Sequence, residues 1–112
     1  MEEKIIKYQN IILDFLNEQA NYRKAASSSE IQLISDKSHN HYQLLRIGWK
    51  KDHFSHLCLF HFDIKDGKIW IQQNRTDVEV AEVFIEKGVS YSDIVLGFLP
   101  SEMRVLSNYA VS

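Results

Sequence analysis

The 112-residue sequence predicts an α+β fold: an antiparallel β-sheet of four or more strands packed with a long N-terminal helix, a central helix and short C-terminal elements. Three observations predict it. Apolar residues recur at helical spacing over 3–22, with no Gly or Pro to interrupt them. Four strand-like runs follow between 30 and 73, joined only by short turn clusters, which favours an antiparallel meander. Asp66-Gly67 lies between the last two runs, and Asp-Gly is the preferred pair for a two-residue type I′ turn, where both residues need φ > 0.

In the N-terminal helix, Ile5, Tyr8, Ile12, Phe15 and Leu16 form one face. Ile6, Ile11 and Leu13 widen it beyond the roughly 100° that a surface helix needs. Ala25-Ala26-Ser27-Ser28-Ser29 marks the crossing to the sheet and is too short for a domain linker, so 1–112 reads as a single domain. The strands are placed at Glu30–Asp36, His41–Trp49, Phe54–Ile64 and Lys68–Gln73, with turns at Lys37–Asn40 and Lys50–His53. The Asp66-Gly67 turn sets Lys65 opposite Lys68, Ile64 opposite Ile69, Asp63 opposite Trp70 and Phe62 opposite Ile71. Strict alternation then puts Cys58, Phe60, Phe62 and Ile71 on one face, and Leu57, Leu59, His61 and Trp70 on the other.

Thr76-Asp77-Val78-Glu79 fits a capping box for a helix reaching about Lys87, and Gly88 suits the C′ position that ends it. Ser90–Asp93 reads as one turn, Ile94–Phe98 as a brief buried run and Pro100–Arg104 as a short helix. Tyr109–Ser112 is a candidate terminal strand.

The net charge is −2, from 13 basic and 15 acidic residues, which argues against a dedicated nucleic-acid binder. Arg46, Lys50, Lys51, Lys65 and Lys68 form a local basic group near predicted strand ends and read as a solvated rim. The single cysteine, Cys58, excludes an intrachain disulfide and reads as a buried small hydrophobe. The opening Met1-Glu2-Glu3-Lys4 has no signal-peptide character, and no apolar run approaches transmembrane length. The expectation is a cytoplasmic protein with no membrane partner. No glycine-rich phosphate loop, helix-turn-helix or zinc-finger spacing occurs, so no cofactor or small-molecule ligand is expected.

The five histidines, His39, His41, His53, His56 and His61, invite a metal reading. A site needs three or four converging ligands, and no Cys pair or helical His-Glu motif backs them. They read as turn and sheet-surface groups, in a chain that folds without metal. His61 and Asp63 share a strand face and, with Arg104, make a candidate polar site. Trp49, Leu57, Leu59 and Trp70 make a candidate interface: a sheet with two apolar faces must cover both. A second copy would do so, which predicts a homo-oligomer, most simply a dimer.

His41-Tyr42-Gln43-Leu44-Leu45 with Gly48-Trp49, and His61-x-Asp63-Ile64-x-x-Gly67-Lys68-Ile69-Trp70-Ile71-Gln72, carry a resemblance that the later residues complete. These are Thr76, Gly88-Val89, Asp93-Ile94-Val95-Leu96-Gly97-Phe98, Pro100, Arg104 and Tyr109-Ala110-Val111-Ser112. On them the chain resembles the XisI family, the fdxN-element excision controlling factors found mainly in cyanobacteria, from about Lys7 to Ser112. Asn74-Arg75, Ser90 and Asn108 depart from the family pattern, all in turns. The resemblance implies a non-enzymatic accessory factor that binds a protein partner, XisH-like, and regulates site-specific DNA excision, reaching the DNA recombinase complex indirectly. It supplies no catalytic residue. Two alternatives stand beside it: a small hydrolase-like enzyme with a His/Asp site near His61 and Asp63, and a weak direct DNA-binding module.

Overall fold

The computed structural model describes residues 2–26 and 28–112. Helix α1 spans Glu2–Ala26, extending beyond the periodic segment at its C-terminal end. Glu2 and Glu3 in its first turn and Arg23 and Lys24 in its last complement the helix dipole. Its buried stripe is Tyr8, Ile11, Ile12, Phe15, Leu16 and Ala20. Ile5 and Leu13 pack at the stripe's edges, whereas Ile6 is 55% exposed. The wide apolar sector is therefore covered largely by this chain's own sheet.

Strands β1 (Glu30–Asp36), β2 (His41–Lys50), β3 (His53–Lys65) and β4 (Lys68–Asn74) form the expected antiparallel meander. The β3–β4 register is the expected one: Lys65 faces Lys68, Ile64 faces Ile69, Asp63 faces Trp70 and Phe62 faces Ile71. Asp66 and Gly67 have φ of 53° and 75°, as a type I′ turn demands. A fifth strand, β5 (Ile94–Leu96), pairs parallel to β4 and ends the order β1-β2-β3-β4-β5. A parallel neighbour needs a crossover, which helix α2 (Val80–Glu86) and a 3₁₀ turn at Tyr91–Asp93 supply.

Strict alternation fails in β3. The β2–β3 register shifts so that Leu44 faces Phe60 but Leu45 faces Cys58, leaving Leu59 as the extra residue of a bulge. Leu59 and Phe60 both enter the core, and Leu57 packs against it. The expected placement of Leu57 and Leu59 on the outer face with Trp70 is thus corrected, and Leu59, 2% exposed, is closed to any partner. Cys58 is only half-buried, not the buried small hydrophobe expected, and its thiol donates to Phe60 O at 3.2 Å.

The core lies between the sheet and the two helices. Phe15 of α1 meets Phe60 and Phe84 edge-on at 5.2 and 5.5 Å, and Phe84 of α2 meets Phe62 at 5.2 Å. Such edge-to-face pairs add to simple area burial. Thr76 does not cap α2: Glu79 precedes the helix with no side-chain cap. Thr76 Oγ instead accepts from the Val78 amide at 3.1 Å and donates to Asn74 Oδ1, building a local turn. The C-terminal end is as expected. Gly88 has φ 111°, its amide donates to Ile85 O at 3.0 Å and the Val89 amide to Phe84 O at 2.9 Å, a Schellman motif. Helix α3 (Ser101–Arg104) follows Pro100, and the C-terminal segment makes a single parallel bridge, Ala110 to Val95, instead of a strand. Among the described residues no helix is long and apolar enough to cross a membrane.

Candidate functional site

On the face of the sheet away from α1 and α2, strand pairing assembles a polar cluster. His41 opens β2 directly opposite Asp63 of β3. His61 lies two residues before Asp63 and therefore on the same face. His41 Nδ1 stands 2.8 Å, and His61 Nε2 3.0 Å, from the same carboxylate oxygen, Oδ1 of Asp63. The other oxygen, Oδ2, accepts from Gln72 Nε2 at 3.1 Å. Gln72 is available because β4 carries its own irregularity: His61 pairs with Gln73 and Phe62 with Ile71, leaving Gln72 over.

Asp63 is a buried carboxylate, 7% exposed. Burial pushes its carboxyl up, but the hydrogen bonds from His41, Gln72 and His61 together outweigh it and hold the group below the ordinary carboxylate range. The sequence expectation that no metal-ligand set converges is corrected here. Ligand atoms of His41, His61 and Asp63 all lie within 4.8 Å of one another. His39 stays apart: its ring stacks near that of His41, but Nδ1 is paired with Asp36 Oδ2 at 2.8 Å.

Trp70, opposite Asp63, is half-buried, with Lys65 Nζ 4.1 Å and the Arg104 guanidinium 5.1 Å from its ring centroid. Gly97 follows β5 against this ring; a Cβ there would collide with Gln72 Oε1 and crowd the indole. Arg104 is a clamp. Its Nε donates to Leu96 O and Leu99 O at 3.3 and 3.1 Å, and Nη1 to Val111 O at 3.2 Å. Of the expected polar trio, His61 and Asp63 touch each other, and Arg104 is spent on the C-terminal segment. His41 and Gln72 were missed as members. Extending the Asp66-Gly67 register one pair beyond Phe62 and Ile71 sets Gln72 opposite His61 and would have found it, but the β2–β3 turn alone sets His41 opposite Phe62, and only the register shift at Leu44/Leu45 brings it opposite Asp63.

The basic rim divides. Lys65 and Lys68 flank the β3–β4 turn, while Arg46, Lys50 and Lys51 lie toward the β2–β3 turn at the other end of β3. Near that second end, Trp49 is 70% exposed and meets the Phe54 ring at a tilt, with centroids 5.1 Å apart. A hollow of about 430 Å³ lies beside them, lined by Ser28, Ser29, Arg46, Lys50 and His53. Burial pushes the Cys58 thiol up, which disfavours a nucleophilic role.

The family profile "XisI protein" matches residues 1–111. The chain belongs to the XisI family. A crystal structure of a XisI-like protein from Anabaena variabilis superposes with a TM-score of 0.87 at 39% identity, covering 96% of this chain and 99% of that one. The fdxN element excision controlling factor XisI from the same organism superposes with a TM-score of 0.83 at 25% identity, covering 97% and 99%. No match is found among curated proteins. Several residues on which the XisI resemblance rests, His41, His61, Asp63, Trp70, Gln72 and Gly97, gather at the one cluster described above.

Proposed function

We propose that this chain is a non-enzymatic accessory factor that binds a protein partner, XisH-like, and through it regulates site-specific DNA excision from within the cytoplasm. The supporting observation is the near-complete overlap with the solved fdxN element excision controlling factor, 97% of this chain on 99% of that one. A controlling factor needs a docking surface more than a catalytic one. The exposed aromatic pair Trp49–Phe54 and the exposed Val105 and Leu106 supply apolar anchors of the kind that dominate interfaces. They also offer the surface for a second copy, and a homodimer is part of the proposal. The enzyme reading has less support. Burial pushes the Cys58 thiol up, which counts against a cysteine nucleophile.

Co-expression with a XisH-like protein tests the reading. A stable complex is expected, weakened at least tenfold by Trp49→Glu or Leu106→Glu with secondary structure retained. Absence of any complex at micromolar concentration would overturn it. A second reading, direct contact with DNA, draws on the hollow lined by Arg46, Lys50 and His53 beside Trp49. Nanomolar DNA binding by the isolated chain at physiological salt would favour that reading instead.

A further inference from the structure

We propose that His41, His61 and Asp63 bind one divalent first-row transition-metal ion of the zinc class on the outer face of the sheet, with coordination positions left open to solvent. This site is independent of the partner-binding reading. Two imidazoles and a carboxylate are donors that suit zinc, cobalt or nickel, whereas magnesium and calcium prefer sets made of oxygen alone.

Two of the three donor separations are already close to those of a bound set, and all three donors lie within 4.8 Å of one another. Zinc holds nitrogen and oxygen donors at about 2.0–2.2 Å, so adjacent donors in a complete site lie roughly 3.0–3.5 Å apart. Here His41 Nδ1 and His61 Nε2 approach Asp63 Oδ1 at 2.8 and 3.0 Å. Admitting an ion needs movements of a few tenths of an ångström at those pairs, with the two imidazole nitrogens, within 4.8 Å of each other, brought to the same spacing by rotation of the exposed His41 ring. The ligands stand on paired strands, His41 and Asp63 as direct cross-strand neighbours, so the backbone pre-pays most of their ordering.

The surroundings fit an ion as well. Gln72 Nε2 takes Asp63 Oδ2 and leaves Oδ1 aimed at the two rings, the role of an outer-shell partner that orients a ligating carboxylate. Asp63 is seated deep, its side chain 10% exposed, while the His41 side chain is 56% exposed. The three donors therefore hold an ion from below, and its remaining positions face water or an incoming ligand. A set of three protein donors with an open position is the arrangement of reactive zinc sites, as opposed to closed structural ones.

Titration of the purified, chelator-treated full chain with zinc chloride by calorimetry, and with cobalt chloride by visible absorption, tests the site. The expected result is one equivalent of zinc bound, cobalt bands of a nitrogen–oxygen site, and no competition from millimolar magnesium. His41→Ala and His61→Ala should each weaken zinc binding at least tenfold, while His39→Ala and His53→Ala should not. His41 is exposed enough that its loss cannot be mistaken for unfolding, and circular dichroism checks each variant. Two results would overturn the proposal: no stoichiometric binding by the parent chain, or binding undiminished in the His41→Ala/His61→Ala double variant. The first would leave the cluster as a hydrogen-bonded staple between strands, and the second would move the metal elsewhere.

Discussion

Single atoms set the character of this molecule at a few positions. Gly97 is one, because an added methyl would strike Gln72 Oε1 and the Trp70 ring. Gly97→Ala is expected to destabilise by about 1–3 kcal/mol, the range for overpacking, and to loosen Gln72 from Asp63. Chemical denaturation measures the first effect, and the Gln72 side-chain amide resonances report the second. Asp93 is another. Burial pushes its carboxyl up, but the Tyr8 hydroxyl, the Lys4 ammonium and the charge of Lys68 outweigh it and hold the group below the ordinary range. Lys4 Nζ lies 3.0 Å from it. Burial and the same carboxylate push the Tyr8 phenol up to about 12. A lowered carboxyl contributes stability above its unfolded value, about pH 4, and that stability is lost as pH falls through the folded value. The Tyr8 contribution has the opposite sense: it is present below the unfolded value and lost as pH rises through about 12. Asp93→Asn should therefore cost about 1–2 kcal/mol at neutral pH, with the difference from the parent shrinking below about pH 4. Denaturant melts across pH check this; a gap that stays constant into acid would mean that the charge of Asp93 is not what matters.

Elements are decided by how local preference meets packing. Helix α2 is short and carries no side-chain N-cap, so it depends on its buried face and its C-terminal lock. Phe84 contacts both Phe15 and Phe62, and Phe84→Ala is expected to cost about 3–5 kcal/mol in a denaturant melt. A loss under 1 kcal/mol would mean that the aromatic cluster closes over the gap. The ends of α2 show why some motifs read truly and others do not. Gly88 is required by a backbone angle that other residues resist, so its meaning is local and legible. Thr76-x-x-Glu79 needs a helix to begin beside it, and Asn74 captures the threonine first. The β3 bulge is of the same kind. Alternation predicts faces only while pairing stays regular, and the choice of which residue to leave unpaired depends on the neighbouring strand.

Across the whole molecule, the sheet is covered on one side by α1 and α2 and in part on the other by the chain's C-terminal end. Arg104 holds that end through Leu96, Leu99 and Val111 while lying over Trp70. Arg104→Ala is expected to speed amide exchange after residue 104 at least tenfold and leave the β2–β3 amides protected. Uniform loss of protection would show that the clamp supports the entire fold. The aromatic core lies on the other face from the His41–Asp63–His61 cluster, so chelation should leave the chain folded. Thermal melting before and after treatment with a chelator checks it; collapse of the melt would make the ion structural.

Short-range chemistry was readable from residue order. The Asp66-Gly67 turn, the register of its hairpin, the four antiparallel strands, the N-terminal helix and the Gly88 stop all follow from interactions within a few positions of each other. So did the family, because its residues are written out in order. The parallel β5, the turn of Leu57 and Leu59 into the core, and the meeting of His41 with His61, Asp63 and Gln72 needed the folded chain. In each case the deciding contact joins different strands, or an irregularity whose position is fixed by side-chain packing across the sheet. One unpaired residue reverses which side its neighbours face, and nothing within the strand's own sequence marks where that residue falls.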